Sequence, residues 1–339
     1  MHPDQPSLRW DGEAIVTLDQ RALPHERRLL RLTTVDDVIA AITTLAVRGA
    51  PSIGLAGALG VVLSAYAHCS PGTGDTGWEA VRADARRLAS ARPTAVNLAW
   101  AVDRVLTKLT DGPDAVLAEA TVMIDEDRSV NRQMVDHAVR AVLDRCPQRS
   151  LRILTHCNTG RLATAAVGTA LGTILALAEA GKVTEVLVDE TRPLLQGARL
   201  TAWELAEADV PHRVCVDSAA AAAMSQGLVD CVLVGADRIT ARGDVANKIG
   251  TYALAIAAAH HGIPFIVVAP ESSWDRSLAD GRDIVIEERD ADEVTSYGGI
   301  RTTPLGTRAY NPAFDVTPAS LISAIVSEHG VHSPSEVTA

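Results

Sequence analysis

The spacing of apolar residues divides the chain into two halves of different character. From residue 35 to about residue 143 the apolar positions recur at helical spacing, as in VDDVIAAITTLAV, VRADARRLA, AVNLAWAVDRVLTKL and AVLAEATVMI. Short β-type runs at residues 14–18 and 29–32 come before them and predict a small sheet. We therefore expect an N-terminal domain, residues 1–147, that consists of a small β-sheet plus helices.

The pattern changes at residue 151, where short β-branched runs begin to alternate with helical segments rich in Ala and Leu. The runs are LRILTH, VTEVLVD, HRVCVD, DCVLVGAD and PFIVVAP, and the helical segments include RLATAAVGTALGTILALAEAG, ARLTAWELAEA and NKIGTYALAIAAAHH. Such alternation is typical of repeated βαβ units around a parallel sheet. We expect an α/β domain over residues 148–339, with its ligand site beyond the carboxyl ends of the strands.

Charge and composition then exclude whole classes of partner. The 339 residues include 42 Asp and Glu against 31 Lys and Arg, a net charge of -11, and aromatic residues make up 3%. A nucleic-acid site usually shows a basic stripe with interleaved aromatic residues, so we expect no nucleic-acid partner. The longest apolar stretches, residues 55–69 and 163–178, are shorter than the ~20 residues of a membrane span, so we expect no membrane partner.

The N-terminus and the five cysteines both favour a cytoplasmic protein. The opening residues MHPDQPSLRWDGE contain neither the basic region nor the apolar core of a secretory signal. The cysteines are widely spaced and odd in number, which is typical of reduced thiols and not of disulfides or a zinc site. Any thiol chemistry would come from a single cysteine. Cys215 and Cys231 lie within apolar runs and are expected to be buried.

Polar residues follow several of the predicted strands, at the edge where a parallel sheet binds its ligands. They are Cys157, Asn158, Thr159 and Gly160 after the first run, Glu190, Thr191 and Arg192 after the second, Ser218 after the third, Asp237 after the fourth, and Asn247 and Lys248 before the next helix. Taken alone, a cysteine is more often a small buried hydrophobe, an aspartate a helix cap and a lysine a solvated charge. Their convergence on one edge favours a functional site.

The segment RGAPSIG, residues 48–54, joins two predicted helices and is a candidate anion pocket. Gly49 allows the backbone to approach a ligand, Pro51 suits the first turn of the next helix, and that helix would offer N–H groups. Arg48 adds a side chain that forms charge-assisted hydrogen bonds. A tight turn with an exposed arginine explains the same residues equally well, and this segment alone does not separate the two interpretations.

A second glycine-rich segment imitates a dinucleotide-binding fingerprint. Gly72, Gly74 and Gly77 fit the G-x-G-x-x-G pattern before a helical run. The preceding run is better interpreted as a helix, and Arg92 and Pro93 stand where the fingerprint needs an acidic residue. We therefore interpret residues 72–77 as a surface loop between helices.

Eight segments together carry a highly specific resemblance to a known family. They are RGAPSIG (48–54), RPTAVNLAWAVDR (92–104), THCNTG (155–160), GTALG (168–172), DETRPLLQGARLTAWEL (189–205), GADRI (235–239), GDVANKIGTYALA (243–255) and YNPAFDVTP (310–318). In order and spacing they resemble the methylthioribose-1-phosphate isomerases over residues 8–331. The wider fold group includes ribose-1,5-bisphosphate isomerases and regulatory subunits of the nucleotide exchange factor of eukaryotic translation initiation.

The resemblance implies a homodimer whose C-terminal domain is Rossmann-like and which needs neither a metal nor a cofactor. It implies an isomerase that converts 5-methylthioribose 1-phosphate to 5-methylthioribulose 1-phosphate in methionine salvage. The family's catalytic residues match Cys157 and Asp237. Its substrate-binding residues match Arg48, Gly49, Ala50, Arg92, Gln196, Asn247 and Lys248. Arg161 departs from the family, which more often has a small residue there.

The implied reaction explains why these residue types are present. A sugar 1-phosphate cannot open its ring as a free aldose does, so an acid must protonate the ring oxygen while the C1–O bond breaks. Asp237 is our candidate for this acid, with a pKa raised by an apolar site of low water access. Cys157 either takes the C2 proton as a base or stabilises the intermediate of a hydride shift, and the sequence leaves both open.

Three alternatives share most of these residues. A ribose-1,5-bisphosphate isomerase needs a second phosphate site, and the string DETRPLLQG favours the methylthio enzyme over it. A 5-deoxyribose-1-phosphate isomerase would look almost identical. A non-catalytic regulatory subunit would be a scaffold that binds a sugar phosphate or a nucleotide, and we would not expect it to retain Cys157 and Asp237.

Overall fold

The computed structural model describes residues 7–69, 74–92, 96–147 and 150–333, which form two compact units. The first unit comprises Met1–Asn131 with Gly160–Gly168, and the second comprises Arg132–Thr159 with Thr169–Ala339. The division thus falls before the expected boundary at residues 147 and 148, and residue 148 lies outside the described ranges. It falls inside one long helix, and helical periodicity continues unchanged through such a point.

The first unit confirms the expected small sheet followed by helices. Its sheet is antiparallel with the order β1-β2-β3. The elements are β1 (Leu8–Trp10), β2 (Ile15–Leu18), β3 (Leu29–Leu32), α1 (Val35–Thr43), α2 (Ala50–His68), α3 (Gly74–Ala89), α4 (Val96–Leu106), a 3-10 turn (Leu109–Asp111) and the first part of α5 (Pro113–Arg145).

Helix α1 begins at a capping box, and helix α3 begins earlier than the sequence predicts. Thr34 caps α1, because its side chain accepts a hydrogen bond from the Asp37 N–H while the Asp37 carboxylate accepts one from the Thr34 N–H. Helix α3 already begins at Gly74, so Gly74 and Gly77 are helical and the loop expected at residues 72–77 is wrong for this part. Residues 72 and 73 lie outside the described ranges.

Helix α2 forms the centre of the first unit's core. A Cβ at Gly57 would lie 2.4 Å from the Leu98 Cδ1 atom, so glycine lets α4 approach α2 closely. By length and composition alone α2 is also long and apolar enough to cross a membrane. Its most apolar stretch is 78% buried, which is equally typical of a core helix.

The second unit holds the remaining part of α5 and the α/β fold. Its strands are β4 (Leu151–Thr155), β5 (Val183–Asp189), β6 (His212–Cys215), β7 (Cys231–Val234), β8 (Arg238–Thr240), β9 (Val245–Lys248), β10 (Phe265–Val268), β11 (Trp274–Asp275), β12 (Ser296–Tyr297), β13 (Ile300–Arg301), β14 (Phe314–Thr317), β15 (Ala324–Ser327) and β16 (Gly330–His332). Its helices are α6 (Ala170–Glu179), α7 (Ala202–Glu207), α8 (Ala220–Ser225), α9 (Thr251–His260) and α10 (Asp292–Thr295), with a π-helical turn (Gly197–Thr201) and 3-10 turns (Asp217–Ala219, Glu271–Ser273, Gly281–Asp283, Ala319–Leu321).

The main sheet confirms the expected parallel α/β architecture. Its order is β16-β15-β10-β7-β4-β5-β6, and every described pairing is parallel except that of β15 with β16. The central strands β7 and β10 are buried along their whole length, as expected for a sheet covered on both faces. A second sheet of order β11-β8-β9-β14 and the hairpin β12-β13 lie in the same unit.

Two of the predicted helical segments are wrong in part. The segment that starts at Arg161 becomes helical only at Ala170, because residues 160–168 leave the second unit and pack in the first. The segment NKIGTYALAIAAAHH becomes helical only at Thr251, so Asn247 and Lys248 do come just before a helix as expected, but they themselves end strand β9 of the second sheet. Their apolar neighbours fit a strand that is buried on both sides as well as a helix, and such short runs are ambiguous in sequence.

Candidate active site

Cys157 and Asp237 follow two adjacent strands at the point where the strand order of the main sheet reverses. From β4 the chain proceeds to β5 and β6 on one side, and it then crosses to β7 on the other side of β4. Cys157 follows β4 and Asp237 follows β7. In open α/β sheets, ligands bind at the carboxyl ends of the strands at such a switch point. The topology therefore brings the two expected catalytic residues to the customary position of a ligand site.

Cys157 is half-buried and has a left-handed backbone, with φ of +62°. Its N–H donates to the Thr191 Oγ1 atom at 2.9 Å, and its carbonyl oxygen accepts from the Thr201 Oγ1 atom at 2.6 Å. A helix was expected to start just after Gly160 and to favour the thiolate. Since α6 begins only at Ala170, that contribution from a helix N-terminus is absent at the position expected.

Lys248 lies within electrostatic range of both residues. It is 5% exposed, and burial lowers its pKa, while the charges of Cys157 and Asp237 oppose that effect. Its Nζ atom lies 5.9 Å from the centre of the Phe314 ring. Asn247 is also buried, and its Nδ2 atom donates to the Thr251 Oγ1 atom at 3.0 Å. Lys248 is thus a buried cation within electrostatic range of Cys157 and Asp237.

Asp237 differs from expectation in its exposure. Its N–H donates to the Ala246 carbonyl at 2.9 Å, which ties it to β9, but the side chain is exposed. Gly235 before it is buried, and a Cβ there would lie 2.8 Å from the Thr159 Cγ2 atom. The strand end is thus tightly packed, while Asp237 beyond it is an exposed residue. The expectation that the protein itself keeps water from Asp237 is wrong for the described unit.

Gln196 presents an acceptor with no partner. The residue is 6% exposed, and its Oε1 atom is buried without a hydrogen-bond partner among the described residues. A π-helical turn begins at the next residue, Gly197, where a Cβ would lie 1.8 Å from the Asp189 carbonyl oxygen. Because buried polar atoms are nearly always hydrogen-bonded, an orphaned acceptor beside a strand end indicates a place for a ligand donor.

The first unit contains the other expected substrate residues. Gly49 has φ of +96° and caps α2, and a Cβ there would lie 2.6 Å from the Ala163 Cα atom. The Arg48 Nε atom donates to the Gln20 Oε1 atom at 3.1 Å. In the first turn of α2, Pro51 has no N–H, and the Ser52 N–H donates to the Ala163 carbonyl at 3.3 Å. The N–H groups of Gly49 and Ala50 come before these two.

Arg92 is the last residue of the described segment 74–92. It is half-buried and belongs to the first unit with Arg48, Gly49 and Ala50. Gln196, Asn247 and Lys248 belong to the second unit with Cys157 and Asp237. Arg161, the departure noted in the sequence, is 7% exposed and lies in the first unit.

A buried histidine next to Cys157 was missed by the sequence analysis. The His156 Nδ1 atom lies 2.9 Å from the Asp189 Oδ2 atom, and its Nε2 atom lies 2.8 Å from the Ile249 carbonyl oxygen. Burial lowers the pKa of His156, but Asp189 and the Ile249 carbonyl raise it more, so it is raised overall. The ring thereby ties the end of β4 to the end of β5 and to the residue after Lys248. Its place before the cysteine in THCN was the available signal.

The same histidine belongs to a group with the spacing of a metal site. Ligand atoms of His156, Asp189 and Asp217 lie within 4.8 Å of one another. Both ring nitrogens of His156 are already hydrogen-bonded, and the two carboxylate oxygens of Asp217 accept from the N–H groups of Thr191 and Arg192, each at 2.7 Å. These bonds commit the atoms that an ion would need. The group does not fit a metal site and instead holds the strand ends together.

The other cysteines are less suited to chemistry than Cys157. Cys231 is buried as expected, and Cys146 is buried as well. Cys215 is half-buried and not fully buried as expected, and burial raises its pKa to about 12. Burial also raises the pKa of Cys69. All five cysteines are free thiols.

Comparison with known proteins places this fold and site in a family. The model of the Initiation factor 2 subunit family matches residues 46–334. A methylthioribose-1-phosphate isomerase from Anaeromyxobacter sp. (strain K) is 52% identical over 97% of this chain and 94% of its own length. The chain therefore belongs to the Initiation factor 2 subunit family and, within it, to the methylthioribose-1-phosphate isomerases.

A longer relative and two solved structures are also similar. A probable bifunctional methylthioribose-1-phosphate isomerase/methylthioribulose-1-phosphate dehydratase from Nocardia farcinica (strain IFM 10152) is 65% identical over 97% of this chain, which spans 59% of that relative's length. The crystal structure of 5-methylthioribose 1-phosphate isomerase from Pyrococcus horikoshii OT3 has a TM-score of 0.90 at 40% identity, covering 97% of this chain and 93% of that one. A structure described as translation initiation factor eIF-2B, subunit delta, from A. fulgidus has a TM-score of 0.87 at 39% identity, covering 97% and 96%.

Proposed function

We propose that this chain is an aldose-ketose isomerase that converts 5-methylthioribose 1-phosphate to 5-methylthioribulose 1-phosphate, a step of methionine salvage. The observation that carries the proposal is the position of Cys157 and Asp237 after the two strands that flank the switch point, with Lys248 in electrostatic range of both. The names of the similar relatives supply the substrate. The dehydratase named in the longer relative is not part of this proposal.

Asp237 acts as the acid that opens the sugar ring. Its carboxyl proton goes to the ring oxygen while the bond between that oxygen and C1 breaks, which leaves a hydroxyl group and an electron-poor C1. The side chain is exposed in the described unit, so bound substrate must exclude water from the carboxyl while the proton is transferred.

Hydrogen transfer from C2 to C1 completes the isomerisation. In one route the Cys157 thiolate removes the C2 proton and returns it to C1, and in the other a hydride moves directly from C2 to C1. The C2 hydroxyl loses its proton in both routes, which restores the acid, so product and substrate have the same formula. Lys248 lies within electrostatic range of Cys157, and its positive charge stabilises negative charge that develops there in either route.

The remaining residues bind the substrate. Arg48, Arg92 and Lys248 provide positive charge for the phosphate, and the N–H groups of Gly49 and Ala50 at the start of α2 provide further donors. Gln196 offers its orphaned Oε1 atom to a sugar hydroxyl. The Asn247 side chain donates to Thr251 through its Nδ2 atom, which holds the end of β9 in place. Its amide oxygen Oδ1 accepts a hydrogen bond from a second sugar hydroxyl.

Turnover with three sugars side by side tests the proposal. The 5-methylthio, 5-deoxy and 5-phospho derivatives of ribose 1-phosphate are incubated with the protein, and the ketose product is followed by nuclear magnetic resonance. We expect turnover of the 5-methylthio sugar and its loss in Cys157→Ala. A preference for the 5-phospho sugar would identify a ribose-1,5-bisphosphate isomerase, and equal rates on the first two would leave the 5-deoxy substrate as the rival.

A non-catalytic scaffold is the alternative from another class, and the similarity to a structure described as an initiation factor subunit favours it. Such a scaffold would bind the sugar phosphate without converting it. Binding measured by calorimetry together with no ketose from any of the three sugars would identify the scaffold and exclude the isomerase.

We also infer that the protein acts as a homodimer in the cytoplasm. Large apolar side chains are exposed along residues 285–310, including Val285, Ile300, Leu305 and Tyr310 at 73% to 90%, and a second subunit would cover such surface. The five free thiols fit a reducing compartment. Sedimentation of the purified protein at several concentrations tests the dimer, and a monomer at all concentrations would exclude it.

A further inference from the structure

The residues around the candidate active site carry backbone strain. Of the five described non-glycine residues with positive φ, three are Cys157 at +62°, Thr191 at +64° and Leu195 at +58°. A left-handed backbone costs about 1 to 2 kcal/mol for a residue with a Cβ, and a β-branched residue such as threonine rarely adopts it. Strain of this kind persists when the surrounding structure imposes it, and it concentrates at functional sites.

Two threonine hydroxyls hold the strained backbone of Cys157 from both sides. The Thr191 Oγ1 atom accepts from the Cys157 N–H at 2.9 Å and donates to the Asp189 carbonyl at 3.0 Å. The Thr201 Oγ1 atom accepts from the Asn158 Nδ2 atom at 3.2 Å, which leaves its proton for the Cys157 carbonyl at 2.6 Å. Both threonines are at most 1% exposed, so water does not substitute for these bonds.

The surrounding structure fixes each threonine in turn. The carboxylate of Asp217 accepts from the N–H groups of Thr191 and Arg192, which holds Thr191 at its left-handed φ. Thr201 ends a π-helical turn, a feature that often occurs at functional sites. That turn starts at Gly197, where a Cβ would collide with the Asp189 carbonyl oxygen, so glycine is needed to bring the turn against β5.

We propose that Thr191 and Thr201 are positioning residues, whose hydroxyls hold the main chain of Cys157 in its left-handed conformation and thereby fix the position of its thiol in the candidate active site. We call these two hydroxyls the threonine clamp. This inference rests on the proposed function, since the residue that the clamp holds is the proposed catalytic cysteine. Neither hydroxyl is needed to fill space. A valine in either position keeps the shape of the side chain but leaves a buried N–H or carbonyl of Cys157 without its partner.

Hydroxyl-specific substitutions separate positioning from packing. Thr191→Val and Thr201→Val remove the hydroxyl and retain the volume, whereas Thr191→Ser and Thr201→Ser retain the hydroxyl. Thr173→Val is the matched control, because Thr173 is fully buried in α6 and donates to the Thr169 carbonyl at 3.0 Å, away from Cys157. For each variant kcat, KM and the unfolding midpoint are measured, and Cys157 alkylation by iodoacetamide is timed by peptide mass spectrometry.

We expect both valine variants to lower kcat by about 10- to 100-fold with KM changed by less than about threefold, because a small misplacement of a reacting group affects the chemical step most. The rate of Cys157 alkylation departs from that of the wild type in the same variants, because the thiol leaves its fixed position. The serine variants and Thr173→Val stay near wild type in both readouts.

Other outcomes overturn the proposal. Wild-type kcat and alkylation rates in both valine variants would exclude the clamp, and so would equal losses in the serine and valine variants that follow the unfolding midpoint. If one valine variant fails to fold, the other decides. The alkylation rate requires no substrate, so it still tests the clamp if the wild-type protein turns over none of the sugars, a result that would overturn the proposed function alone.

Discussion

The turn at Gly49 in the first unit and the turn at Cys157 in the second solve the same backbone problem in different ways. Both residues have positive φ, +96° at Gly49 and +62° at Cys157. Glycine adopts this conformation without penalty, and at Gly49 even a methyl group would collide with Ala163. Cysteine pays for it in strain and is held by hydroxyls of Thr191 and Thr201.

The difference follows from what each turn presents to a ligand. In our proposal the Gly49 turn presents main-chain N–H groups, which need no side chain at that position. The Cys157 turn presents a thiol, so glycine is not an option and the chain accepts the strain. A strained position that must keep its side chain is therefore a stronger sign of chemistry than a strained position occupied by glycine.

The largest effect is expected from Asp237→Asn in the second unit, the unit of the strained Cys157 turn. This substitution removes the proposed acid but keeps the shape of the side chain. We expect kcat to fall by about 10²- to 10⁴-fold while KM changes little, the usual loss for a general acid. Asp209→Asn is a control, since Asp209 is an exposed aspartate of the same unit. Steady-state kinetics measures both variants, and a modest loss confined to KM would remove Asp237 from the acid role.

Gly49→Ala disrupts the turn of the first unit, which glycine adopts without strain. Alanine there adds both left-handed strain and a contact at 2.6 Å to Ala163, so we expect the free energy of unfolding to fall by about 2 to 4 kcal/mol and KM to rise. Gly112→Ala is the matched control, because Gly112 has φ of +100° but no atom near its Cβ position. It isolates the backbone strain, about 1 to 2 kcal/mol. Equal losses in urea unfolding would show that the contact with Ala163 is unimportant.

Lys248→Met tests the cation beside Cys157. Methionine fills the buried volume without the charge, and we expect about 10- to 100-fold weaker binding of the sugar phosphate, since each charge-assisted bond contributes about 1.5 to 3 kcal/mol. Calorimetric titration measures the affinity, with Lys182→Met as the control for loss of a half-buried lysine. Unchanged affinity would show that Lys248 does not bind the sugar phosphate and has only a structural role.

Asp127→Asn tests how the loop that packs on Gly49 contributes to stability at different pH values. The Asp127 carboxylate accepts a hydrogen bond from the Ala165 N–H of that loop at 2.7 Å. Burial raises the pKa of Asp127 to about 6, above the model-compound value of 3.8. The folded state therefore binds the proton more tightly, and this stabilisation is complete below about pH 4 and lost as pH rises to about 6.

The asparagine variant lacks that titration. Between pH 4 and pH 6 the wild type should lose about 2 kcal/mol of stability relative to Asp127→Asn, as measured by urea unfolding at several pH values. Asp125→Asn, at an exposed position of the same helix, should keep the wild-type slope. Parallel curves for the wild type and Asp127→Asn would contradict the assignment.

The sequence predicted the two halves and the residues at the strand ends because these follow from periodicity. The small N-terminal sheet, the helices and the parallel sheet agree with the structure. The start of α6 did not, because residues 160–168 pack in the first unit, and the strand that ends at Asn247 and Lys248 was missed because short apolar runs fit a buried strand as well as a helix.

The hydrogen bonds that hold the backbone around Cys157 could not be predicted from the hydrophobic pattern. His156, Thr191 and Thr201 act on main-chain atoms that are distant in sequence, and nothing in the spacing shows that a hydroxyl will meet a carbonyl. The exposure of Asp237 was also missed, since it depends on what lies beyond the strand end and not on the strand itself.

Selective alkylation with substrate protection tests the central claim, that the thiol of Cys157 is the reactive group. The protein is treated with limiting iodoacetamide, with and without 5-methylthioribose 1-phosphate, and residual turnover is compared with the modification of each of the five cysteines by peptide mapping. We predict that activity falls in step with modification of Cys157, and that substrate slows this reaction without protecting the half-buried Cys69, while the buried Cys146 reacts little in either case. Full activity with Cys157 completely modified would contradict the account.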